Sequence, residues 1–75
     1  MLTRNLAVEL GRHGININNI APGAIETPIN TMLLNDPQKL GALLRQIPLG
    51  RLGQPCDVAS LAVFLASEES DYVTG

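Results

Sequence analysis

Apolar residues recur at Leu2, Leu6 and Leu10, with Ala7 and Val8 widening the stripe, so residues 1–14 predict an amphipathic helix. Arg12 and His13 fall in its last turn, where cations suit the helix dipole, and Gly14 follows as a natural C-terminal cap. Nothing before Leu2 could act as an N-cap. Residues 15–20 carry three isoleucines and predict a short strand, although their asparagines argue against a fully apolar central one. A helix closing on glycine and running straight into a strand is the second half of a β-α-β unit.

Ala21-Pro22-Gly23 forces a break after that strand. Thr27-Pro28 then reads as an N-cap followed by proline at the first helical position, and Asp36-Pro37 repeats the signal more clearly. The helix opened by Asp36 has an apolar face of Leu40, Leu43, Leu44 and Ile47, and Pro48 ends it. Residues 49–54, with two glycines, predict a loop. Pro55 opens a last helix with Asp57 in its first turn, and Val58, Ala59, Leu61, Ala62, Val63, Phe64, Leu65 and Ala66 make it apolar on nearly every side. Residues 67–71 are polar and end it, and Tyr72-Val73-Thr74-Gly75 reads as the entry to a further strand. No segment repeats another.

Length sharpens this picture. The chain has 75 residues, 45% apolar and 16% charged. A chain this short buries only about 60% of the surface its unfolded form exposes, and below roughly 80 residues a domain usually needs a disulfide, a metal or a partner. One cysteine and one histidine provide neither an internal disulfide nor a closed zinc site. A helix apolar all round must be covered on several faces, which so small a chain cannot do alone. The expectation is a part of a larger domain, with both ends resembling cuts.

Charge and composition narrow the function. Five basic residues against seven acidic ones, no Trp, one Phe and one Tyr provide neither the basic footprint nor the stacking platforms of a nucleic-acid binder. The longest apolar run, residues 61–66, is far below the roughly 20 residues of a membrane span, and the N-terminus lacks the pattern of a signal peptide. A soluble, cytoplasmic protein is expected, with no membrane partner. His13, at a helix end, reads as solvated. Cys56 lies in a first helical turn where a thiolate is favoured, but it has apolar neighbours and no histidine nearby. Glu68, Glu69 and Asp71 read as a solvated helix end rather than a metal site. No group of residues makes a catalytic centre.

The informative stretch surrounds Pro22-Gly23. In open α/β sheets, ligands bind beyond the carboxyl ends of the strands. Gly23 would leave room for a flat ligand, and Thr27 would cap a helix whose N–H groups suit an anion or an amide oxygen. An ordinary strand-to-helix turn uses the same residues.

Three runs carry a family resemblance. They are Asn18-Asn19-Ile20-Ala21-Pro22-Gly23-Ala24-Ile25-Glu26-Thr27, then Ile47-Pro48-Leu49-Gly50-Arg51-Leu52-Gly53-Gln54-Pro55-Cys56-Asp57-Val58-Ala59, then Phe64-Leu65-Ala66-Ser67 with Tyr72-Val73-Thr74-Gly75. In that order they resemble the C-terminal segment of the short-chain dehydrogenase/reductase family, and Leu2-Thr3-Arg4 with Leu6-Ala7-Val8-Glu9-Leu10 is similar to the later part of the family's active-site helix. Glu26-Thr27-Pro28-Ile29-Asn30-Thr31 looks closest to glucose 1-dehydrogenase-like members. Cys56 stands where the family usually has an acidic residue.

The resemblance implies an α/β fold, the C-terminal part of a Rossmann-type doubly wound parallel sheet, incomplete as a domain. Residues 1–14 would be a helix, 15–27 the strand and nicotinamide-side loop, 28–53 the substrate-lid region, and 54–75 a helix leading into the last strand. It implies an oxidoreductase using NAD or NADP to interconvert an alcohol, such as a sugar, and a carbonyl. Pro22, Gly23, Ile25 and Thr27 would contact the cofactor, with the Ile25 backbone N–H and C=O on its carboxamide. Ala24, Ile29, Met32 and Leu33 would belong to the lid. The family's glycine-rich loop, catalytic serine and Tyr-x-x-x-Lys pair match nothing here, so the resemblance implies no catalytic residue in this chain, an inactive isolated chain, and a dimer or tetramer for the parent. The alternatives are a short non-catalytic protein that associates with full-length relatives, and a degenerate gene product.

Overall fold

The computed structural model describes residues 1–75, the side chain of Asn30 excepted. Four α-helices form: α1 (Leu2–Gly11), α2 (Thr31–Leu34), α3 (Pro37–Gln46) and α4 (Pro55–Ala66), with 3-10 turns at Pro28–Asn30 and Glu68–Ser70. The chain divides into two compact units, Met1–Ala21 with Ala59–Gly75, and Pro22–Val58.

In the first unit, α1 closes as its sequence requires. Gly14 takes a φ of 75°, its N–H donates to Gly11 O, and the Ile15 N–H reaches back to Leu10 O at 3.3 Å. These two bonds satisfy the orphan carbonyls of a helix end, and the left-handed residue is the glycine that tolerates it. Residues 15–20 do not form the expected strand, nor do residues 72–75. A strand exists through its neighbour's backbone, and here only one backbone bond joins the two stretches, Gly75 N–H to Ile17 O at 2.7 Å. Side chains supply the remaining bonds. The Asn16 and Asn18 amides donate to Asp71 O and Val73 O, and Thr74 Oγ1 accepts the Ile17 N–H. Asparagines thus tie two extended stretches together without a ladder.

In the second unit, Asp36 is the N-cap of α3, its Oδ1 accepting the N–H groups of Gln38 and Lys39 at 3.1 and 3.2 Å. Leu40, Leu43, Leu44 and Ile47 are all half-buried, so the spacing read from the sequence does define the inward face of α3. Thr27 behaves differently from its expected role. It precedes only the 3-10 turn Pro28–Asn30 and the four-residue α2, and its hydroxyl makes no capping bond. Thr31 Oγ1 instead donates to Pro28 O.

Little apolar surface is covered. Ala7 and Leu52 are the buried hydrophobic residues, and no residue of α4 is buried. Val63 is 69% exposed and Leu61 45%. A helix with these residues loses most of the free energy that covering them would supply, about 25 cal/mol per Å² of apolar surface.

Candidate functional site

The segment after Ala21 is held by a second segment 28 residues further on. Ile25 and Gly53 form an isolated parallel bridge, the one β-type pairing among the described residues. Gly53 straddles Ile25, donating its N–H to Ala24 O at 3.0 Å and accepting the Glu26 N–H at 2.8 Å. In parallel pairing the residue between such bonds turns its own N–H and C=O toward the opposite edge. Ile25 therefore directs its peptide groups away from Gly53.

The Gly53 side of this pairing is itself braced. Asp57 Oδ2 accepts the Gln54 N–H at 2.7 Å and the Arg51 guanidinium at 3.0 Å. The same Arg51 nitrogen donates to Leu52 O at 2.9 Å, and Gln54 Nε2 donates to Glu26 Oε2 at 2.5 Å. The bond from the Gln54 N–H, then the Arg51 cation, hold the Asp57 carboxyl below its ordinary pKa, and Asp57 in turn raises that of Arg51. A Cβ on Gly53 would lie 2.6 Å from Ile25 Cδ1, so the two segments touch where the glycine stands.

Of the residues expected to meet a cofactor, Pro22 and Gly23 are exposed, while Ile25 and Thr27 are half-buried. Around Gly23 there is open space for a Cβ, so nothing within the chain requires a glycine there. A cleft of 410 Å³ is lined by residues 23–25, 46–49, Arg51, Gly53 and Asp57. It brings Gly23, Ala24 and Ile25 together but includes neither Pro22 nor Thr27. Of the expected lid residues, Ile29 and Met32 are 93% and 89% exposed, and Ala24 and Leu33 are half-buried. Cys56 is exposed.

The sequence placed Arg51, Gly53 and Gln54 in a loop and Asp57 in a first helical turn, all within a run that carries the family resemblance, but gave none of them a role at the site. One local signal was available. Gln54-Pro55-Cys56-Asp57 has the spacing at which the third helical residue reaches back to the N-cap N–H. The Glu26–Gln54 contact had none, since its partners lie far apart in sequence.

The family described as enoyl-(acyl carrier protein) reductase matches residues 1–75. A 3β-hydroxysteroid dehydrogenase of Eggerthella lenta is 51% identical over 75 residues, covering 100% of this chain and 29% of the relative. A (3R)-3-hydroxyacyl-CoA dehydrogenase of Homo sapiens is 49% identical, covering 99% of this chain and 28% of the relative. Among solved structures, an Agrobacterium tumefaciens protein assigned as a 2-deoxy-D-gluconate 3-dehydrogenase, with NADP bound, is 48% identical with a TM-score of 0.91, covering 97% of this chain and 30% of its own. The chain thus spans under a third of the length of these relatives, whose fold is the Rossmann type and whose family depends on NAD or NADP. Among the described residues no helix is long and apolar enough to cross a membrane, and no cluster of His, Cys, Asp and Glu could hold a metal. The likeness extends over the whole chain at close to half identity, and the chain belongs to the short-chain dehydrogenase/reductase family.

Proposed function

We propose that this chain serves as the nicotinamide-side loop and substrate lid of a cytoplasmic NAD(P)-dependent oxidoreductase that interconverts an alcohol and a carbonyl. The observation that carries this reading is the fit of 97% of the chain onto the NADP-bound Agrobacterium tumefaciens structure. When bound, the nicotinamide supplies hydride chemistry, and residues of this chain bind and orient it. A carboxamide offers a donor and an acceptor side by side, and so needs an acceptor and a donor in return. The Ile25 peptide groups, turned to the edge opposite Gly53, are of the right kind for it. Space at Gly23 suits a flat ring, and Thr27 adds a hydroxyl next to the turn. Ile29 and Met32 present large apolar side chains suited to a lid. Holding the ring carbon close to the substrate carbon is the contribution to rate, because misplacement by about 1 Å can cost roughly 10²-fold.

A sugar-type substrate, as in glucose 1-dehydrogenase-like enzymes, is supported by the Glu26-Thr27-Pro28-Ile29-Asn30-Thr31 run and by the gluconate-type name of the Agrobacterium protein. The catalytic serine, tyrosine and lysine of the family are assigned to no position here, so the isolated chain should be inactive and work within a homo-oligomeric parent. The exposed apolar surface of α4 also favours a second reading, a short non-catalytic chain that associates with full-length relatives.

Grafting tests the first reading. Residues 1–75 would replace the matched stretch of the Agrobacterium protein, and NADP binding would be titrated. Retention of binding, with its loss on Ile25→Pro, supports the reading. A folded graft that does not bind NADP refutes it.

A further inference from the structure

We infer that Asp57 and Arg51 are positioning residues, acting through Gly53 and Gln54 on the loop that carries Ile25 and Thr27. This inference rests on the reading of that loop as cofactor-binding. Asp57 Oδ2 holds both the Gln54 N–H, at 2.7 Å, and the Arg51 guanidinium, at 3.0 Å. Arg51 also donates to Leu52 O, so the backbone of residues 51–54 is braced at both ends around the buried Leu52. The braced segment then meets the loop at two points. Gly53 bonds on either side of Ile25, to Ala24 and Glu26, and the Gln54 amide donates to the Glu26 carboxylate. These bonds fall on Ala24 and Glu26, the residues on either side of Ile25.

Energetics separate positioning from mere support. The side chains of Arg51 and Asp57 are 58% and 44% exposed. Ion pairs this open add little to global stability. What the pair does control is where the Gly53 backbone sits, and through it the direction of the Ile25 peptide. Removing it should leave a folded protein whose cofactor loop is less well placed.

The test is made in the Agrobacterium protein carrying residues 1–75 in place of its matched stretch, reading the Kd of NADPH and NADH, kcat and Tm for Asp57→Ala, Asp57→Glu and Arg51→Met. Asp57→Ala should raise the Kd about 5-fold or more and lower kcat, because small misplacements of a bound ring are costly. Its Tm should fall by less than about 4 °C, in keeping with a surface pair. Asp57→Glu should restore both parameters to within about 2-fold, since a glutamate at this position also reaches the N-cap N–H. Arg51→Met keeps the Gln54 bond, so it should fold even where Asp57→Ala does not, and should show the same direction of change. Parental Kd and kcat in both Asp57→Ala and Arg51→Met would overturn the inference. Ile25→Pro distinguishes the two levels. If it abolishes binding while the other variants are unaffected, only the positioning role fails; if it too binds normally, the cofactor loop itself is wrongly assigned.

Discussion

Gly53 and Ile25 meet at the tightest point of the clasp, and substitution there separates a steric prediction from every other effect. A Cβ on Gly53 would lie 2.6 Å from Ile25 Cδ1. Ordinary carbon contacts fall at about 3.5–4.0 Å, so Gly53→Ala demands about 1 Å of relief. Gly53 is not among the glycines with positive φ, so its backbone imposes no penalty of its own. Because Cδ1 is the end of a side chain, relief comes from turning Ile25 away from its rotamer, at about 0.5–1.5 kcal/mol. Alanine also narrows the unfolded ensemble, which favours folding by about 0.4–1 kcal/mol. The two effects nearly cancel, and the single variant is uninformative. Ile25→Val removes Cδ1, so Gly53→Ala in that background should stabilise rather than strain. The coupling between the two sites should be about 0.5–1.5 kcal/mol, favourable to the double variant. Urea unfolding of the parent, both single variants and the double variant in the grafted Agrobacterium protein measures it, provided the m-values agree. Additivity to within about 0.3 kcal/mol would refute the contact.

Three further outcomes follow from the same geometry. Asp36→Ala leaves the N–H groups of Gln38 and Lys39 without their acceptor and should cost about 1 kcal/mol, while Asp36→Ser should retain most of it, as checked by denaturant unfolding. The Asp57 pKa is lowered by folding, so its contribution is present above the ordinary carboxylate pKa of about 3.9 and is lost as pH falls through the depressed value. The Tm difference between parent and Asp57→Asn should therefore be flat from about pH 5 to 8 and close in more acid solution, and a gap that changes within the neutral range contradicts this assignment. The 75-residue chain by itself, with Ala7 and Leu52 the only buried hydrophobic residues among those described, should melt gradually in calorimetry of the dilute monomer; a sharp cooperative transition would show that its core suffices.

What the sequence made legible was local. Gly14 and Asp36 are caps because a residue's own chemistry meets backbone groups within five positions, and such signals need no knowledge of the rest of the chain. The inward face of α3 followed from periodicity in the same way. Residues 15–20 were misread as a strand because isoleucine content describes a preference, whereas a ladder requires a neighbour that this chain does not place there. Thr27 was misread for a related reason: Thr-Pro announces a helix start, but the helix that follows is too short to need a side-chain cap. The braced contact of Glu26, Arg51, Gly53, Gln54 and Asp57 joins segments far apart in sequence, and only Asp57 with Gln54 had a spacing that hinted at it.

The proposed placing of the Ile25 peptide against the nicotinamide is tested most directly by NADP titration of the grafted Agrobacterium protein with Ile25→Pro beside Ile25→Ala. Both bonds to Gly53 come from Ala24 and Glu26, so neither substitution deletes them. Ile25→Ala keeps the peptide groups and should bind within about 3-fold of the parent, whereas Ile25→Pro loses the N–H, a hydrogen bond worth about 1 kcal/mol net and more where it fixes the ring, and should bind at least about 5-fold more weakly. Equal affinities for Ile25→Pro, Ile25→Ala and the parent would contradict the account.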